Sequence, residues 1–129
     1  MEGLGVLVVD DDPQILKLAK SFLEREGMEV HCASNGDEAL RLAGEKNVAL
    51  MITDLHMPGM QGIELAGRIR EMDPELPVFM ITGDATNEIH VLALGAGVLK
   101  IFAKPVHFCE LLESARGVIR ERKARRGAG

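Results

Sequence analysis

The chain has 129 residues, of which 47% are hydrophobic and 27% charged, and this composition is typical of one globular domain and excludes a disordered chain. No apolar run approaches the roughly 20 residues that span a membrane, and the N-terminus lacks a secretory signal, so we expect a cytoplasmic protein. Residues 1–115 carry a net charge of −10 and residues 116–129 a net charge of +5; the acidic body argues against direct contact with nucleic acid.

Five short apolar runs predict five β-strands. The third of them, Val48–Ile52, shows no polar alternation, which indicates a strand buried on both faces, as in a parallel sheet. Their predicted limits, in chain order, are Leu4–Val9, Met28–Ala33, Val48–Ile52, Pro77–Ile81 and Leu99–Ala103.

A helical pattern follows each strand. Asp12-Pro13 is expected to start the first helix and Gly27 to end it, and either Ser34 or Asn35 caps the second. The other helices are predicted from Gly62 to Asp73-Pro74, over Thr86–Ala96 and over Val106–Lys123. The buried stripes predicted for the first and last helices are Ile15, Ala19, Phe22 and Leu23, and Phe108, Leu111, Leu112, Ala115, Val118 and Ile119.

This alternation of strands and helices predicts an α/β fold, a three-layer doubly wound sandwich around a five-stranded parallel sheet. The pattern by itself leaves the strand order open. We assign residues 1–123 to one domain and expect residues 124–129 to form a disordered basic tail. Cys32 and Cys109 lack metal-ligand spacing, and we expect both to be buried free thiols.

Polar residues stand where four of the predicted strands end: Asp10 and Asp11, Asp54, Thr82, and Lys104. The carboxyl ends of parallel strands meet at one sheet edge, where ligands bind in open α/β folds. A lone acid at a strand end can simply cap a loop, but the convergence of these residues favours a site. The turn after Asp54 contains Pro58, which fixes φ, and Gly59 and Gly62, which permit positive φ.

Three carboxylates at one place repel one another unless a cation neutralises them, and their hard oxygen ligands favour Mg²⁺ (or Mn²⁺). Lys104 adds a positive charge and Thr82 a hydroxyl donor, while Gly83 leaves room for an incoming group. Such an arrangement stabilises negative oxygens, as phosphoryl transfer to Asp54 requires.

With these residues in this order, the chain resembles the response-regulator receiver domain over essentially its whole length. The resemblance implies a flavodoxin-like strand order of 2-1-3-4-5, a cis Lys104–Pro105 bond, and Asp54 as phosphoacceptor. It also implies Mg²⁺ ligands and phosphoryl contacts. The implied metal ligands are Asp11, Asp54, the backbone carbonyl of His56 and, through water, Asp10; the implied phosphoryl contacts are Thr82, Gly83 and Lys104.

The resemblance also implies two further sets of residues. His56 and Asp84 occupy the positions that tune how long the phosphoryl group survives, unless they are only solvated polar residues. His90, Leu94 and Ile101 lie on the fourth helix and fifth strand, where receivers contact partners or dimerise. The family usually has an aromatic residue at the position of Ile101, so Ile101 either belongs to the switch or only packs.

The sequence therefore predicts a signalling switch, not an enzyme with a separate substrate. Its expected donor is a sensor histidine kinase or a histidine phosphotransfer protein, and its expected partners are a downstream protein and a second copy through the helix 4–strand 5–helix 5 face. Two alternatives are a hydrolase of the haloacid dehalogenase type, which departs from this sequence at His56, and a receiver serving only as a binding module. A stand-alone protein and a piece of a longer regulator are both open.

Overall fold

The computed structural model describes the backbone of residues 5–128 and the side chains of residues 5–125. Strands and helices alternate from the first element to the last. The strands are β1 Gly5–Val9, β2 Val30–Ala33, β3 Val48–Asp54, β4 Val78–Thr82 and β5 Lys100–Ala103. The helices are α1 Pro13–Arg25, α2 Gly36–Glu45, α3 Gly62–Met72, α4 Asn87–Gly95 and α5 Phe108–Ala128.

The five strands form one parallel sheet in the order β2-β1-β3-β4-β5, which confirms the predicted fold and strand order. β1 and β3 are neighbours, with Val9 opposite Thr53, so the residues that follow both strands meet at one edge. β4 lies between β3 and β5, with Thr82 opposite Ala103. The edge therefore brings together the ends of four strands.

Alternate strand residues point into two hydrophobic cores, one on each face of the sheet, because successive side chains of a strand point to opposite faces. One core joins the sheet to α1 and α5, through residues such as Leu23 and Ala115. The other joins it to α2, α3 and α4, through residues such as Leu65 and Ala93. This is the predicted three-layer arrangement.

Two of the predicted buried positions are wrong. Ile15 is 44% exposed and Phe108 is 48% exposed. Leu16 packs in the core in place of Ile15, since it lies seven residues before the buried Leu23 and so shares its helical face. Phe108 is the first residue of α5 and packs against Phe22 with a ring-centroid distance of 4.9 Å.

Several boundaries differ from the prediction by one or two residues, as helix and strand ends usually do. β2 begins at Val30 rather than Met28. Asn35, not Ser34, caps α2, and its side chain accepts a hydrogen bond from the Glu38 amide. The predicted first strand residue, Leu4, lies outside the described residues.

The C-terminal segment is more ordered than predicted. α5 continues to Ala128, so residues 124–128 are helical where we expected a disordered tail, and Gly129 lies outside the described residues. Arg122 is 8% exposed, and its Nη2 donates to Asp73 Oδ2 at 2.5 Å. Arg125 adds a bond to Glu121 one turn earlier, and such i,i+4 pairs support a helix of good helix formers.

Over residues 5–128, no helix is both long enough and apolar enough to cross a membrane.

Cys32 is half-buried and Cys109 is exposed, so the expectation that both thiols are buried is wrong for Cys109. Burial raises the pKa of the Cys32 thiol.

Candidate functional site

Three carboxylates meet at the carboxyl ends of β1 and β3. One oxygen from each of Asp10, Asp11 and Asp54 lies within 4.8 Å of the others. Asp10 directly follows β1 and Asp54 is the last residue of β3, so the strand pairing itself brings them together. Asp10 is buried, Asp54 is partly buried and Asp11 is exposed, which gives the cluster one side open to solvent.

Asp10 carries the electrostatic cost of this arrangement. Its Oδ1 accepts a hydrogen bond from the Asp12 amide at 2.9 Å. Burial raises the pKa of the Asp10 carboxyl, and the like charges of Asp54 and Asp11 raise it further, against the Asp12 amide and the Lys104 ammonium. A cation bound beside Asp10 would therefore stabilise its ionised carboxylate.

The donor set fits a hard divalent cation. Mg²⁺ takes oxygen ligands at about 2.1 Å, so two of its ligands are at most about 4.2 Å apart, and the three carboxylate oxygens lie within 4.8 Å of one another. Within the described part of the chain, these three acids are the one group of metal-ligating side chains that meets this spacing. It includes no His or Cys, which argues against zinc.

A cation lies beside Asp54, and a hydroxyl lies at the end of the neighbouring strand β4. Lys104 Nζ is 3.5 Å from Asp54 Oδ1, and the Lys104 amide donates to the carbonyl of Thr82 at 2.9 Å. The Lys104–Pro105 bond is cis, as the resemblance implies. Thr82 is fully buried, and its Oγ1 accepts from the Asp84 amide at 2.9 Å, which leaves the hydroxyl hydrogen free to donate.

The turn after Asp54 uses its two glycines differently. Gly59 has a positive φ of +79°, which glycine permits, whereas Gly62 does not have positive φ. A Cβ on Gly62 would lie 2.3 Å from the Asp54 carbonyl oxygen, and the Gly62 amide donates to the Leu55 carbonyl at 2.8 Å. Gly62 thus allows α3 to begin directly against the end of β3, a role that the sequence signalled only by the glycine itself.

His56 and Asp84 lie close together in the loops that follow β3 and β4. His56 Nε2 is 3.7 Å from Asp84 Oδ2, and both side chains are at least half exposed. Gly83 is exposed, and a Cβ added there would meet no atom within 4 Å. Position 83 therefore has room for a side chain, and the open space around it does not require a glycine.

The predicted partner face is apolar and open. His90 and Leu94 are exposed, whereas Ile101 is half-buried and packs against the core. Asp12 is the N-cap of α1, as expected, and accepts from the Gln14 amide. Three further aliphatic residues of α4 and the position before β5 are exposed, Val91 at 70%, Leu92 at 57% and Leu99 at 57%.

Comparison with known sequences gives a consistent result. A family profile described as the response regulator receiver domain matches residues 6–116. The transcriptional regulatory protein SrrA of Staphylococcus aureus is 44% identical over 93 residues, which are 70% of this chain and 38% of that protein. The chain thus spans less than two fifths of the length of the curated relatives it matches.

Solved structures are similar over nearly the whole chain. A CheY-like receiver domain protein from Methanospirillum hungatei JF-1 has a TM-score of 0.89 at 33% identity, covering 96% of this chain and 99% of that chain. A receiver domain protein from Clostridium thermocellum has a TM-score of 0.87 at 31% identity, covering 94% and 98%. The response regulator TrrA of Thermotoga maritima, solved with Mg²⁺-BeF, has a TM-score of 0.81 at 33% identity, covering 89% and 98%.

Proposed function

This chain belongs to the response regulator receiver family of two-component signalling, and from that premise we propose that it is switched by a phosphoryl group accepted on Asp54. Receiver domains act as signalling switches rather than as enzymes that turn over a separate substrate. The observation that carries the proposal is the arrangement around Asp54, where carboxylate oxygens of Asp10 and Asp11 lie within 4.8 Å and Lys104 Nζ lies 3.5 Å from Oδ1. We assign this role to residues 1–123.

We propose that Asp11, Asp54 and the backbone carbonyl of His56 hold a Mg²⁺ ion, with Asp10 contributing through water. The close carboxylate oxygens and the raised pKa of Asp10 support this assignment. Bound there, the ion would offset the negative charge of the carboxylates and of an arriving phosphoryl group. Mn²⁺ fits the same ligands.

In the proposed transfer, a carboxylate oxygen of Asp54 attacks the phosphorus of a phosphohistidine. A P–O bond forms, the P–N bond breaks, and its electron pair stays on the imidazole nitrogen of the donor. Lys104 would move from Asp54 to a phosphoryl oxygen, because that oxygen carries the larger negative charge. The free hydroxyl hydrogen of Thr82 and the amide of Gly83 would bond the remaining oxygens.

The proposed donor is a sensor histidine kinase or a histidine phosphotransfer protein, and the proposed readout is a changed α4–β5–α5 face. That face exposes Leu94 and keeps Ile101 half-buried. We propose a downstream protein or a second copy as its partner, and no direct contact with nucleic acid, because residues 1–115 are strongly acidic.

The direct test is intact mass after incubation with Mg²⁺ and acetyl phosphate. We expect one added phosphate that is lost in base, that does not form in EDTA, and that is absent from Asp54→Asn. Asp12→Asn is the matched control, since it removes a nearby carboxylate that caps α1 and lies outside the proposed ligands. A folded protein that gains no phosphate, or that gains it equally in Asp54→Asn, contradicts the proposal.

We propose that His56 and Asp84 act as a pair on the lifetime of the phosphoryl group, since their side chains meet at 3.7 Å. If so, His56→Ala and Asp84→Ala each change the decay rate several-fold, and the double variant changes it no further than the larger single change. The decay of phosphorylated protein after removal of the donor measures this. Fully multiplicative effects would mean that the two side chains act separately.

A further inference from the structure

The loop between β3 and α3 is hydrogen-bonded on both sides of one open carbonyl. The Gly62 amide donates to the Leu55 carbonyl at 2.8 Å, and the side-chain nitrogen Nε2 of Gln61 donates to the Met57 carbonyl at 3.1 Å. His56 lies between these two acceptors, and no described residue donates to its carbonyl. The His56 carbonyl thus remains available to another partner.

The two bonds act on the peptide units that flank this carbonyl. The Leu55 carbonyl belongs to the unit before it and the Met57 carbonyl to the unit after it. Because a peptide unit is planar, the direction of the His56 carbonyl depends only on ψ of His56 and φ of Met57. Holding the planes on both sides restricts these two rotations.

Gln61 uses its side chain for this bond and not for the helix that it precedes. It is the N-cap residue of α3, yet its side chain makes no capping hydrogen bond. Its backbone is extended, with φ −75° and ψ 159°, the conformation in which short polar N-cap side chains accept from the first helical turn. Met57 is 3% exposed, so the acceptor of the Gln61 bond belongs to a residue that is fixed in the core.

We infer that Gln61 is a positioning residue for the divalent cation, and that it acts by holding the His56 carbonyl in place. This inference rests on the metal ligands proposed above. Mg²⁺ demands near-ideal octahedral geometry, so a carbonyl that turns away from its position no longer serves as a ligand. Gln61 therefore sets how tightly the site holds the ion, although it is neither charged nor a ligand itself.

The test is a titration of the full chain with Mn²⁺, in which free Mn²⁺ is measured by electron paramagnetic resonance. Gln61→Met removes the donor at nearly constant length, and we expect the Kd to rise about three- to tenfold, as the loss of one ordinary hydrogen bond implies. Gln14→Met is the matched control, because Gln14 is exposed and donates to Asp12 from its backbone rather than its side chain. We expect its Kd to equal that of the parent.

Gln61→Ser separates positioning from stability. The serine side chain ends two bonds short of the donor nitrogen, so the bond to Met57 is lost, but serine is a favoured N-cap residue. We expect Gln61→Ser to be at least as stable as the parent in urea unfolding with EDTA, and yet to bind Mn²⁺ as weakly as Gln61→Met. A purely structural role would move stability and affinity in the same direction.

A Gln61→Met or Gln61→Ser protein that binds Mn²⁺ as tightly as the parent would overturn the inference, as would equal weakening by Gln14→Met. A parent that binds no Mn²⁺, or that binds it equally after Asp54→Asn, contradicts the proposed metal site itself, and the inference falls with it. The two failures are distinguishable, because the second is seen without any change at residue 61.

Discussion

At the scale of single residues, Asp10 shows that the fold places a carboxyl where its ionised form is unfavourable. Its carboxyl is buried beside two other acids, and burial is the first cause that raises its pKa. An acid whose pKa is raised on folding disfavours the folded state once it ionises. The cost is absent below the ordinary aspartate pKa of 3.8 and is fully present above the raised value.

We therefore predict that Asp10→Asn is more stable than the parent at neutral pH in EDTA. The amide keeps an oxygen that accepts from the Asp12 amide but carries no charge. The gain should shrink as the pH falls toward the ordinary aspartate pKa, where the parent also becomes neutral at this position. Urea unfolding at a series of pH values measures this, and a gain that does not depend on pH would contradict the explanation.

Residue-level prediction from the sequence worked best where chain order and sheet topology set the position. Asp10, Asp54, Thr82 and Lys104 are brought to one edge because parallel strands align their carboxyl ends. The contact between His56 and Asp84 could not be predicted, since it depends on the path of two loops.

At the scale of elements, the junction of β3 and α3 depends on Gly62. A methyl group there would overlap the Asp54 carbonyl oxygen, and backbone atoms yield less readily than a flexible side chain. We predict that Gly62→Ala destabilises the fold by about 1–3 kcal/mol, as overpacking does. Chemical denaturation measures the change.

Gly67 in the same helix provides the matched control. A Cβ at Gly67 meets nothing within 4 Å, so Gly67→Ala should stabilise the protein by about 0.5–1 kcal/mol through helix propensity. A Gly62→Ala protein as stable as the parent would show that the junction relaxes freely. Such a result would contradict the close-approach explanation.

Element boundaries were less predictable than element types. Ile15 and Leu16 are both large and apolar, and only the packing of α1 on the sheet decides which is buried. The length of α5 was underestimated because its basic end was expected to be solvated. Arg122 instead bonds to Asp73, a tertiary contact that residue spacing does not reveal, whereas the bond of Arg125 to Glu121 is an i,i+4 pair within the helix.

At the scale of the whole molecule, Arg122 ties α5 to the opposite helical layer. It donates from α5 to Asp73 at the end of α3, and α5 and α3 pack on different faces of the sheet. Removing the guanidinium leaves Asp73 unpaired but partly solvated, at 39% side-chain exposure. We predict that Arg122→Met destabilises the protein by about 1–3 kcal/mol.

Arg120→Met is the control, because Arg120 is exposed on the same helix and surface substitutions usually change stability by less than about 0.5 kcal/mol. Thermal and urea unfolding of both variants, at matched ionic strength, test the difference. Equal effects of the two substitutions would mean that the pair with Asp73 contributes nothing measurable.

The sheet order described above has a consequence for how the protein comes to work during synthesis. Asp10 emerges early and Lys104 late, and β1 and β3 become neighbours only after β2 and α2 have been made. No contiguous fragment shorter than most of the chain contains both sides of the Asp54 pocket. A fragment that ends before β5 therefore lacks Lys104, and one that begins after β1 lacks Asp10, so neither contains the whole set of charged groups at this edge.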